Sequence, residues 1–261
     1  MLHIADEFAP LLSSIADDPS SVFTRDDIKP WRTLADRENC VWEILDSAGR
    51  THRFHVKRYP ASHRHHAAAR AEANGYAALA AEQIPAARVA AWGELSDGRS
   101  FIVIQDLAGF TPADKLIAAG APFAELLAAT ASLAAQLHNA GLHHRDLYLC
   151  HFLAKLEPDG PPQLRLIDAA RVRRLPLLFP RRWIVKDLAQ FWFSSLDLPI
   201  TNTQRQKWLK LYTTQTAISR PRALRRAILR KCRVIARHDA VLNQREPRRN
   251  ISIPQTPGPI S

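Results

Sequence analysis

The sequence has few of the features that mark secreted or membrane-spanning proteins. Its three cysteines, Cys40, Cys150 and Cys232, are widely spaced and form neither a disulfide framework nor a Cys-x-x-Cys metal pair. No apolar run approaches the roughly 18 residues of a membrane-spanning helix, and the N-terminus lacks the basic and apolar regions of a signal peptide. These absences predict a protein of a reducing compartment, and we expect it in the cytoplasm.

The composition is that of a globular protein with a large basic excess. Hydrophobic residues make up 46% of the 261 residues and charged residues 23%, which suits one sizeable domain or two modest lobes. The formal net charge is +11, and basic residues are concentrated in residues 171–182 and 220–249. Such an excess favours anionic partners: nucleic acid, phosphorylated sugars or an acidic membrane surface.

The first part of the chain predicts a small sheet with one helix. Two hairpins are expected, with turns at residues 46–49 and 96–99. A helix between them would be capped by Ser62 and would reach about residue 81. The strands of the two hairpins are predicted at residues 40–45 with 52–58 and at 89–92 with 101–104.

The second part predicts helices around one further hairpin. Thr111 would cap a short helix with Pro112 at its first position, and Gly141 would end a long one. The tail, residues 246–261, is rich in proline and polar residues, and we predict that it is disordered. The strands are predicted at 152–156 and 163–168 and the helices at 122–140, 183–195, 204–216 and 221–242.

Two aspartates fit the two carboxylate roles of phosphoryl transfer. Residues 143–152 have the sequence His-His-Arg-Asp-Leu-Tyr-Leu-Cys-His-Phe, and Asp168 ends an apolar run 22 positions after Asp146. Phosphoryl transfer needs one carboxylate at the attacking hydroxyl and another that holds the metal on the phosphates. We predict that Asp146 takes the first role and Asp168 the second.

The residues around Asp146 resemble the catalytic loop of protein kinases. His144, Arg145 and Asp146 match its His-Arg-Asp sequence, in which the aspartate orients the substrate hydroxyl. Residues 168–170, Asp-Ala-Ala, would stand where kinases have Asp-Phe-Gly and keep only the carboxylate. His151 stands where the kinase loop has an asparagine that binds a second metal.

Earlier residues supply the nucleotide-binding pattern of a kinase. Lys57 lies in a predicted strand, and Glu72 follows 15 positions later in the next predicted helix, as the lysine and glutamate of a kinase do. Gln105 and Leu107 would lie in the hinge between lobes, where backbone groups contact adenine. The segment that would cover the phosphates, residues 35–39, contains no glycine, so side chains such as Arg37 or Asn39 would have to cover them.

A wider set of motifs is similar to the lipopolysaccharide kinase family, bacterial enzymes that phosphorylate heptose or Kdo in the lipopolysaccharide inner core. His151, which departs from the asparagine of protein kinases, matches the pattern of this family. The resemblance extends from Lys57 to Ser195. The motifs are His-Arg-Asp-Leu-Tyr-Leu-Cys-His-Phe-Leu from His144, Leu-Ile-Asp-Ala-Ala-Arg-Val from Leu166, Pro-Arg-Arg-Trp from Pro180, Lys-Asp-Leu from Lys186, and Ser194-Ser195.

The resemblance implies an α+β, protein-kinase-like two-lobed fold, with a small antiparallel N-terminal sheet carrying one helix and a larger, mainly helical C-terminal lobe. Residues 1–105 would form the first lobe and residues 106–245 the catalytic lobe. The cofactors would be ATP and Mg²⁺, and the acceptor a hydroxyl of an anionic glycolipid or sugar. Contact with an acidic membrane at the inner face of the inner membrane would explain the basic charge.

The resemblance also assigns roles to individual residues. Lys57 would hold the α- and β-phosphates, Glu72 would pair with it, Asp146 would be the base and Asp168 would bind Mg²⁺. His151 would act at the metal or phosphate, while Asp187 and His144 would support the catalytic loop. Five arginines would bind an anionic acceptor: Arg171, Arg173, Arg174, Arg181 and Arg182.

Other functions remain open for the same residues. The protein could phosphorylate another acceptor, a small molecule or a protein, or it could be a pseudokinase that binds nucleotide without turnover. Zinc binding by Cys150 and the histidines at 63, 65, 66, 143, 144 and 151 is disfavoured, because adjacent histidines rarely converge on one ion. Nucleic-acid binding is not expected, because the basic stretches carry few interleaved aromatics.

Overall fold

Two units make up the part of the chain that the structure, a computed structural model, describes, namely residues 1–61 and 67–245. The predicted cap Ser62 and the predicted tail, residues 246–261, lie outside the described residues. The first unit contains Met1–Ala77 and Ala87–Ala108, and the second contains Ala78–Ala86 and the chain from Gly109 onward.

The first unit is built on a six-stranded antiparallel sheet. Its strands are β1 (Leu2–Ile4), β2 (Ile28–Thr33), β3 (Glu38–Leu45), β4 (Thr51–Tyr59), β5 (Val89–Glu94) and β6 (Ser100–Gln105), in the spatial order β1-β5-β6-β4-β3-β2. Both predicted hairpins are confirmed. Gly49 and Gly98 lie in their turns with φ of 76° and 88°, values that glycine adopts without steric cost.

One face of this sheet is covered by the N-terminal segment. A short helix, α1 (Ser13–Asp17), and two 3₁₀ turns beside it place Leu12, Ile15 and Val22 against Phe54 and Val56 of β4, and all five side chains are almost completely buried. The sequence pattern did not predict these elements, since each is too short to show a helical or strand period. Their burial makes the segment part of the core of the first unit.

The other face of β4 carries the polar residues of functional interest. Side chains alternate between the faces of a strand, so Lys57 points away from the core that buries Val56. Helix α2 (Ala68–Ala81) carries Glu72, whose side chain reaches Lys57. The predicted helix is confirmed from Ala68 onward.

The second unit is mainly helical. The predicted long helix that ends before Gly141 is confirmed, and Gly141 has a φ of 70°. Its helices are α3 (Ala113–Ala118), α4 (Phe123–Asn139), α5 (Pro180–Ser194), α6 (Asn202–Thr214) and α7 (Pro221–Arg245). Its short strands are β7 (Thr111–Pro112), β8 (Leu142–His143), β9 (Phe152–Lys155), β10 (Gln163–Leu166) and β11 (Arg173–Arg174).

The predicted N-cap at Thr111 is wrong. Thr111 pairs with Ala154 of β9, and α3 begins after Pro112 without a side-chain cap. Strand pairing takes Thr111 out of the position from which its hydroxyl could reach the first turn of the helix. Within residues 1–61 and 67–245, no helix is both long and apolar enough to cross a membrane.

The core of the second unit is organised around Trp208 of α6. Its ring stacks on Phe191 of α5 with centroids 3.9 Å apart, and its indole N–H donates to Thr130 Oγ1 of α4 at 3.0 Å. The Thr130 hydroxyl in turn donates to the Leu126 carbonyl at 2.7 Å. Trp208 therefore joins three helices through one stack and one hydrogen bond, and it is fully buried.

We expect Trp208→Ala to lower the free energy of unfolding by about 3–5 kcal/mol, because it removes a fully buried aromatic ring and leaves a cavity. Thr130→Val is the matched control: it keeps the volume but removes the hydroxyl that accepts from the indole N–H and donates to the Leu126 carbonyl, so we expect a loss of about 1–3 kcal/mol. Urea denaturation measures both. A loss below about 1 kcal/mol for Trp208→Ala would contradict this account of the core.

Candidate active site

One face of α5 holds the backbone of the loop that contains Asp146. Asp187, Gln190 and Ser194 are spaced at i, i+3 and i+7 and therefore share a face of the helix. Asp187 accepts hydrogen bonds from the backbone N–H groups of His144 (2.7 Å) and Arg145 (2.8 Å). Gln190 Oε1 accepts from Leu147 N and Ser194 Oγ accepts from Leu149 N, at 3.2 and 2.9 Å. Four backbone donors of the loop are thus satisfied by one helix.

Asp187 is itself fixed by a buried polar chain. His138 of α4 lies between Tyr212 of α6 and Asp187, with Nδ1 2.8 Å from the Tyr212 hydroxyl and Nε2 3.3 Å from Asp187 Oδ2. Burial raises the pKa of Asp187, but the hydrogen bond from His138 and the loop N–H groups outweigh burial and leave the pKa below its usual value. The carboxylate therefore stays ionised in a fully buried position.

Arg145 has a backbone conformation that few non-glycine residues adopt. Its φ is 71°, and its carbonyl oxygen accepts from Lys186 Nζ at 2.5 Å and from Gln190 Nε2 at 2.7 Å. Its guanidinium lies 4.9 Å from the centroid of the Trp183 ring. A left-handed conformation costs roughly 1–2 kcal/mol, and these contacts hold it in place.

Asp146 is a largely buried carboxylate that faces several cations. Its Oδ1 accepts from Arg171 at 3.0 Å and from Gln190 Nε2 at 3.3 Å. Burial is the main cause that raises the pKa of Asp146, and the Asp168 carboxylate adds to it, while Arg171, Lys186 and His151 act in the opposite direction. A carboxyl with a raised pKa beside fixed donors is suited to accept a proton from a hydroxyl.

His151 connects the two aspartates. Its Nδ1 donates to the Asp146 carbonyl oxygen at 2.6 Å, and its Nε2 lies 3.7 Å from Asp168 Oδ2. Burial lowers the pKa of His151, but the neighbouring Cys150 sulfur, the Asp168 carboxylate and the Asp146 carbonyl together raise it to about 10. His151 is therefore held by both ends, one ring nitrogen toward each aspartate.

Asp168 has the second strained backbone of the site. Its φ is 61° and its ψ is 58°, and its carboxylate remains 38% exposed. The residue before it, Ile167, is fixed on both sides, because its carbonyl lies 3.1 Å from Nε2 of the buried His144 and its N–H donates to the His151 carbonyl. Unfavourable backbone geometry that its neighbours enforce is typical of functional positions.

The first unit contains the predicted lysine and glutamate as an ion pair. Lys57 Nζ lies 2.7 Å from Glu72 Oε1, and the Glu72 side chain is completely buried. The Tyr59 hydroxyl donates to Glu72 Oε2 at 3.0 Å, which leaves both carboxylate oxygens with a donor. Asn39 lies opposite Lys57 in the β3/β4 register, so the two side chains share a face of the sheet.

The other segments with predicted roles in nucleotide binding also lie in the first unit. Leu34 N donates to the Arg37 carbonyl at 2.8 Å and closes the glycine-free turn between β2 and β3. Arg37 Nε is buried and has no acceptor among the described residues. At the predicted hinge, the N–H of Gln105 donates to the Arg88 carbonyl at 2.9 Å. An adenine ring near Gln105 and Leu107 would have to use other backbone groups.

The predicted acceptor-binding arginines follow Asp168 along the chain and are all exposed. Arg171 contacts Asp146, Arg174 Nη2 lies 3.0 Å from Glu82 Oε1, and Arg173 Nη1 donates to the Val172 carbonyl at 2.6 Å. Arg182 lies over Trp183, 5.6 Å from the ring centroid. Arg171 is the member of this set that reaches a predicted catalytic carboxylate.

Asp168 of the second unit offers one ligand of the kind that a magnesium ion prefers. Mg²⁺ prefers oxygen ligands and keeps several waters, and Asp168 offers a partly exposed carboxylate. The imidazole nitrogen of His151 suits softer metals better. Among the described residues, no group of three or more histidine, cysteine, aspartate and glutamate side chains is arranged to hold a metal; the histidines at 63, 65 and 66 lie outside them.

Sequence reasoning missed the residues that support this arrangement. His138, Lys186 and Gln190 contact the loop or Asp187, Tyr212 contacts His138, and none of the four was given a role. For Gln190 a signal was present, because it lies three residues after Asp187 and so shares its helix face. His138 and Tyr212 carried no local signal, since they meet Asp187 only through packing of separate helices.

The match to a known family decides the identity of the chain. Residues 31–212 match the lipopolysaccharide kinase (Kdo/WaaP) family. The chain belongs to this family. The resemblance inferred from the Asp146 loop and the motifs after it is thereby confirmed.

Relatives in this lipopolysaccharide kinase family share part of their length with the chain. It is 38% identical over 92 residues to the lipopolysaccharide core heptose(I) kinase WaaP of Pseudomonas aeruginosa and 36% identical over 90 residues to that of Escherichia coli. Each match covers 33% of this chain, and 33% and 34% of the respective relative. The chain thus matches about a third of the length of these curated relatives.

A solved structure confirms the fold of this family member. The crystal structure of an aminoglycoside-3'-phosphotransferase of type VIII is similar, with a TM-score of 0.53 at 16% identity, and the match covers 82% of this chain and 97% of that one. The predicted α+β, protein-kinase-like fold, with an antiparallel N-terminal sheet and a mainly helical second part, is therefore confirmed.

We expect Asp187→Ala to lower the free energy of unfolding by about 2–4 kcal/mol, because the buried N–H groups of His144 and Arg145 lose their acceptor. Asp187→Asn, which keeps one acceptor oxygen, should cost less. Hydrogen exchange at these two amides is the specific readout: exchange should accelerate in Asp187→Ala. Unchanged protection of both amides would show that the carboxylate does not hold the loop.

The buried histidines predict a loss of stability on mild acidification. Burial lowers the pKa of His143 and of His144 to about 4, whereas both return to about 6.5 in the unfolded chain. Unfolding therefore takes up protons below about pH 6.5, and stability should fall from there toward about pH 4, by up to roughly 1.4 kcal/mol per pH unit for each histidine.

Urea denaturation across this pH range measures the slope, and His144→Gln provides the comparison because it removes one of the two titrating groups. Its slope should be shallower than that of the wild type by roughly half. Equal slopes for the two proteins would contradict the assignment of His144 as a buried neutral side chain.

Proposed function

We propose that the protein is an ATP-dependent kinase that transfers the γ-phosphoryl group to a sugar hydroxyl of the lipopolysaccharide core. The observation that carries the proposal is the set of contacts that places His151 between the Asp146 carbonyl and Asp168, in a member of the lipopolysaccharide kinase family. The curated relatives named above act on core heptose, which makes a heptose or Kdo-like sugar the preferred acceptor class.

Each unit would supply its own part of the reaction, and we keep residues 1–105 and 106–245 as the proposed lobes. Lys57, held by the buried carboxylate of Glu72, would bind the α- and β-phosphates. Arg37, whose guanidinium pairs with Asp36 at 3.0 Å and whose Nε has no acceptor among the described residues, would add a second cation at the phosphates in place of a glycine-rich loop. Gln105 and Leu107 are proposed to contact the adenine.

Asp146 would orient the acceptor hydroxyl and accept its proton, because its Oδ1 is fixed by Gln190 and its environment raises its pKa. Asp168 would hold Mg²⁺, which when bound neutralises charge on the phosphates. We propose that His151 contacts Asp168 and the phosphate oxygens and does not bind the metal itself, since a nitrogen ligand is a poor match for Mg²⁺.

Arg171 would meet the anionic acceptor. It contacts Asp146 Oδ1 from an exposed position, so it can leave the carboxylate when a phosphorylated sugar offers a stronger partner. Arg173, Arg174, Arg181 and Arg182 are proposed to extend the same basic surface. Peripheral contact with an acidic membrane, where a glycolipid acceptor would lie, belongs to this proposal.

We expect Asp146→Asn to reduce phosphate transfer by at least about a hundredfold, because the amide cannot accept the hydroxyl proton. The measurement is incorporation of phosphate from ATP and Mg²⁺ into a panel of lipopolysaccharide core sugars. Asp159→Asn, at an exposed aspartate in the β9–β10 turn, is the matched control and should keep wild-type transfer.

The other outcomes separate the alternatives. Transfer that Asp146→Asn leaves intact would show that Asp146 is not the base. Nucleotide binding without transfer to any sugar would favour a pseudokinase scaffold. Transfer to a protein or a small hydroxylated metabolite instead of a core sugar would show that the protein is a kinase for another class of acceptor. Lys57→Met should weaken nucleotide binding in a kinase and in a pseudokinase alike, because in both the lysine would hold the phosphates.

A further inference from the structure

Three consecutive large apolar side chains are exposed in the segment between β11 and α5. Leu177 is 100% exposed, Leu178 77% and Phe179 81%, and we call these three residues the apolar tip. Soluble proteins expose single apolar residues often, but contiguous groups mark interaction sites. The apolar tip has no role in the reaction proposed above.

The segment is held in a defined conformation at both ends. Before the tip, β11 pairs with β8, and Leu175 N donates to the Gly141 carbonyl at 2.7 Å. After it, Phe179 has a φ of 59°, and its carbonyl accepts from Arg182 N at 3.1 Å. Pro176 and Pro180 bracket the tip and restrict its backbone further. The apolar side chains are therefore presented outward by a fixed loop.

The charged residues of the segment that carries the tip are all basic, and one of them, Arg174, pairs with the more distant Glu82. Between Asp168 and Asp187 the sequence contains no acidic residue. Arginines lie on both sides of the tip, and all are exposed: Arg171, Arg173, Arg174, Arg181 and Arg182. An apolar projection surrounded by cations complements a surface whose outside is anionic and whose interior is apolar.

We propose that the apolar tip inserts into an anionic phospholipid bilayer while the flanking arginines bind its headgroup phosphates. This membrane contact rests on the proposed function, because a glycolipid acceptor lies in a membrane. The same segment that carries the tip also carries Arg171, which contacts Asp146. Docking of this segment on the bilayer would thus bring the carboxylate to the surface where lipid-linked sugars lie.

Vesicle binding tests the proposal without reference to catalysis. Wild-type protein should co-sediment with phosphatidylcholine vesicles that contain phosphatidylglycerol, and salt should weaken the binding. Leu177→Ser/Leu178→Ser/Phe179→Ser should bind the same vesicles at least about tenfold more weakly, because three apolar side chains no longer leave water on binding. The matched control is Leu45→Ser/Leu196→Ser, which removes exposed leucines elsewhere and should bind as the wild type does.

A reporter at the tip shows whether it enters the bilayer. In Phe179→Trp, brominated phospholipids should quench fluorescence beyond the quenching of the wild-type tryptophans. Three outcomes would each overturn the proposal. They are a wild type that does not bind anionic vesicles, a triple serine variant that binds them as tightly as the wild type, and a triple serine substitution that changes only self-association measured by light scattering.

The kinase assay separates this proposal from the proposed function. With a deacylated, soluble core oligosaccharide as acceptor, the triple serine variant should transfer phosphate as the wild type does, and with the glycolipid in vesicles it should transfer less. Vesicle binding by a protein that transfers no phosphate would leave the docking site standing and overturn the kinase assignment. Transfer without vesicle binding would do the reverse.

Discussion

The buried carboxylate of Asp187 is the interaction on which the candidate active site depends. A backbone loop without regular structure leaves its N–H groups unpaired, and burying them unpaired costs about 1–3 kcal/mol each. Asp187 satisfies two of them, and Gln190 and Ser194 on the same helix face satisfy two more. With its backbone fixed in this way, the loop can hold Arg145 in a left-handed conformation and keep the largely buried Asp146 beside Arg171. The chain of Tyr212, His138 and Asp187 then ties that loop to the cores of three helices.

The carboxylates that position other residues of the site are fully buried, whereas the charged residues proposed to take part in the reaction are more accessible. Fully buried groups such as Glu72 and Asp187 have donors on both carboxylate oxygens, so they position their partners and have no capacity left for a substrate. Asp146, Asp168 and Arg171 are more accessible, and Arg171 contacts Asp146 from an exposed position, where a ligand can replace it. The basic surface after Asp168 continues this gradient toward solvent, on both sides of the apolar tip. In the proposed function, proton transfer belongs to Asp146, whereas anion binding and contact with an interface belong to the segment after Asp168.

Much of the arrangement could be predicted from the sequence, and the reason differs from one residue to another. The hairpins of the first unit follow from alternation and turn residues, and Lys57 and Glu72 could be paired because a strand followed by a helix fixes their separation. Asp168 could be identified because it ends an apolar run and Asp146 because it closes a His-Arg-Asp sequence, and together they fit the two carboxylate roles of phosphoryl transfer. The structure overturned the cap at Thr111, since a strand partner distant in sequence takes that residue. The N-terminal elements could not be predicted, because short turns carry no period and their packing on β4 is a long-range contact.

Residue type and local spacing were enough to predict the family, the order of the longer elements and the candidate residues for the chemistry. The contacts among those residues came from the fold: His151 reaches from the Asp146 carbonyl to Asp168, Arg171 contacts Asp146, and His138 supports Asp187. The fold also decided that Leu177, Leu178 and Phe179 face solvent, since an apolar triplet in a sequence is ordinarily buried. Contacts between residues far apart in the chain and the exposure of a side chain are set by packing, and no local pattern encodes either.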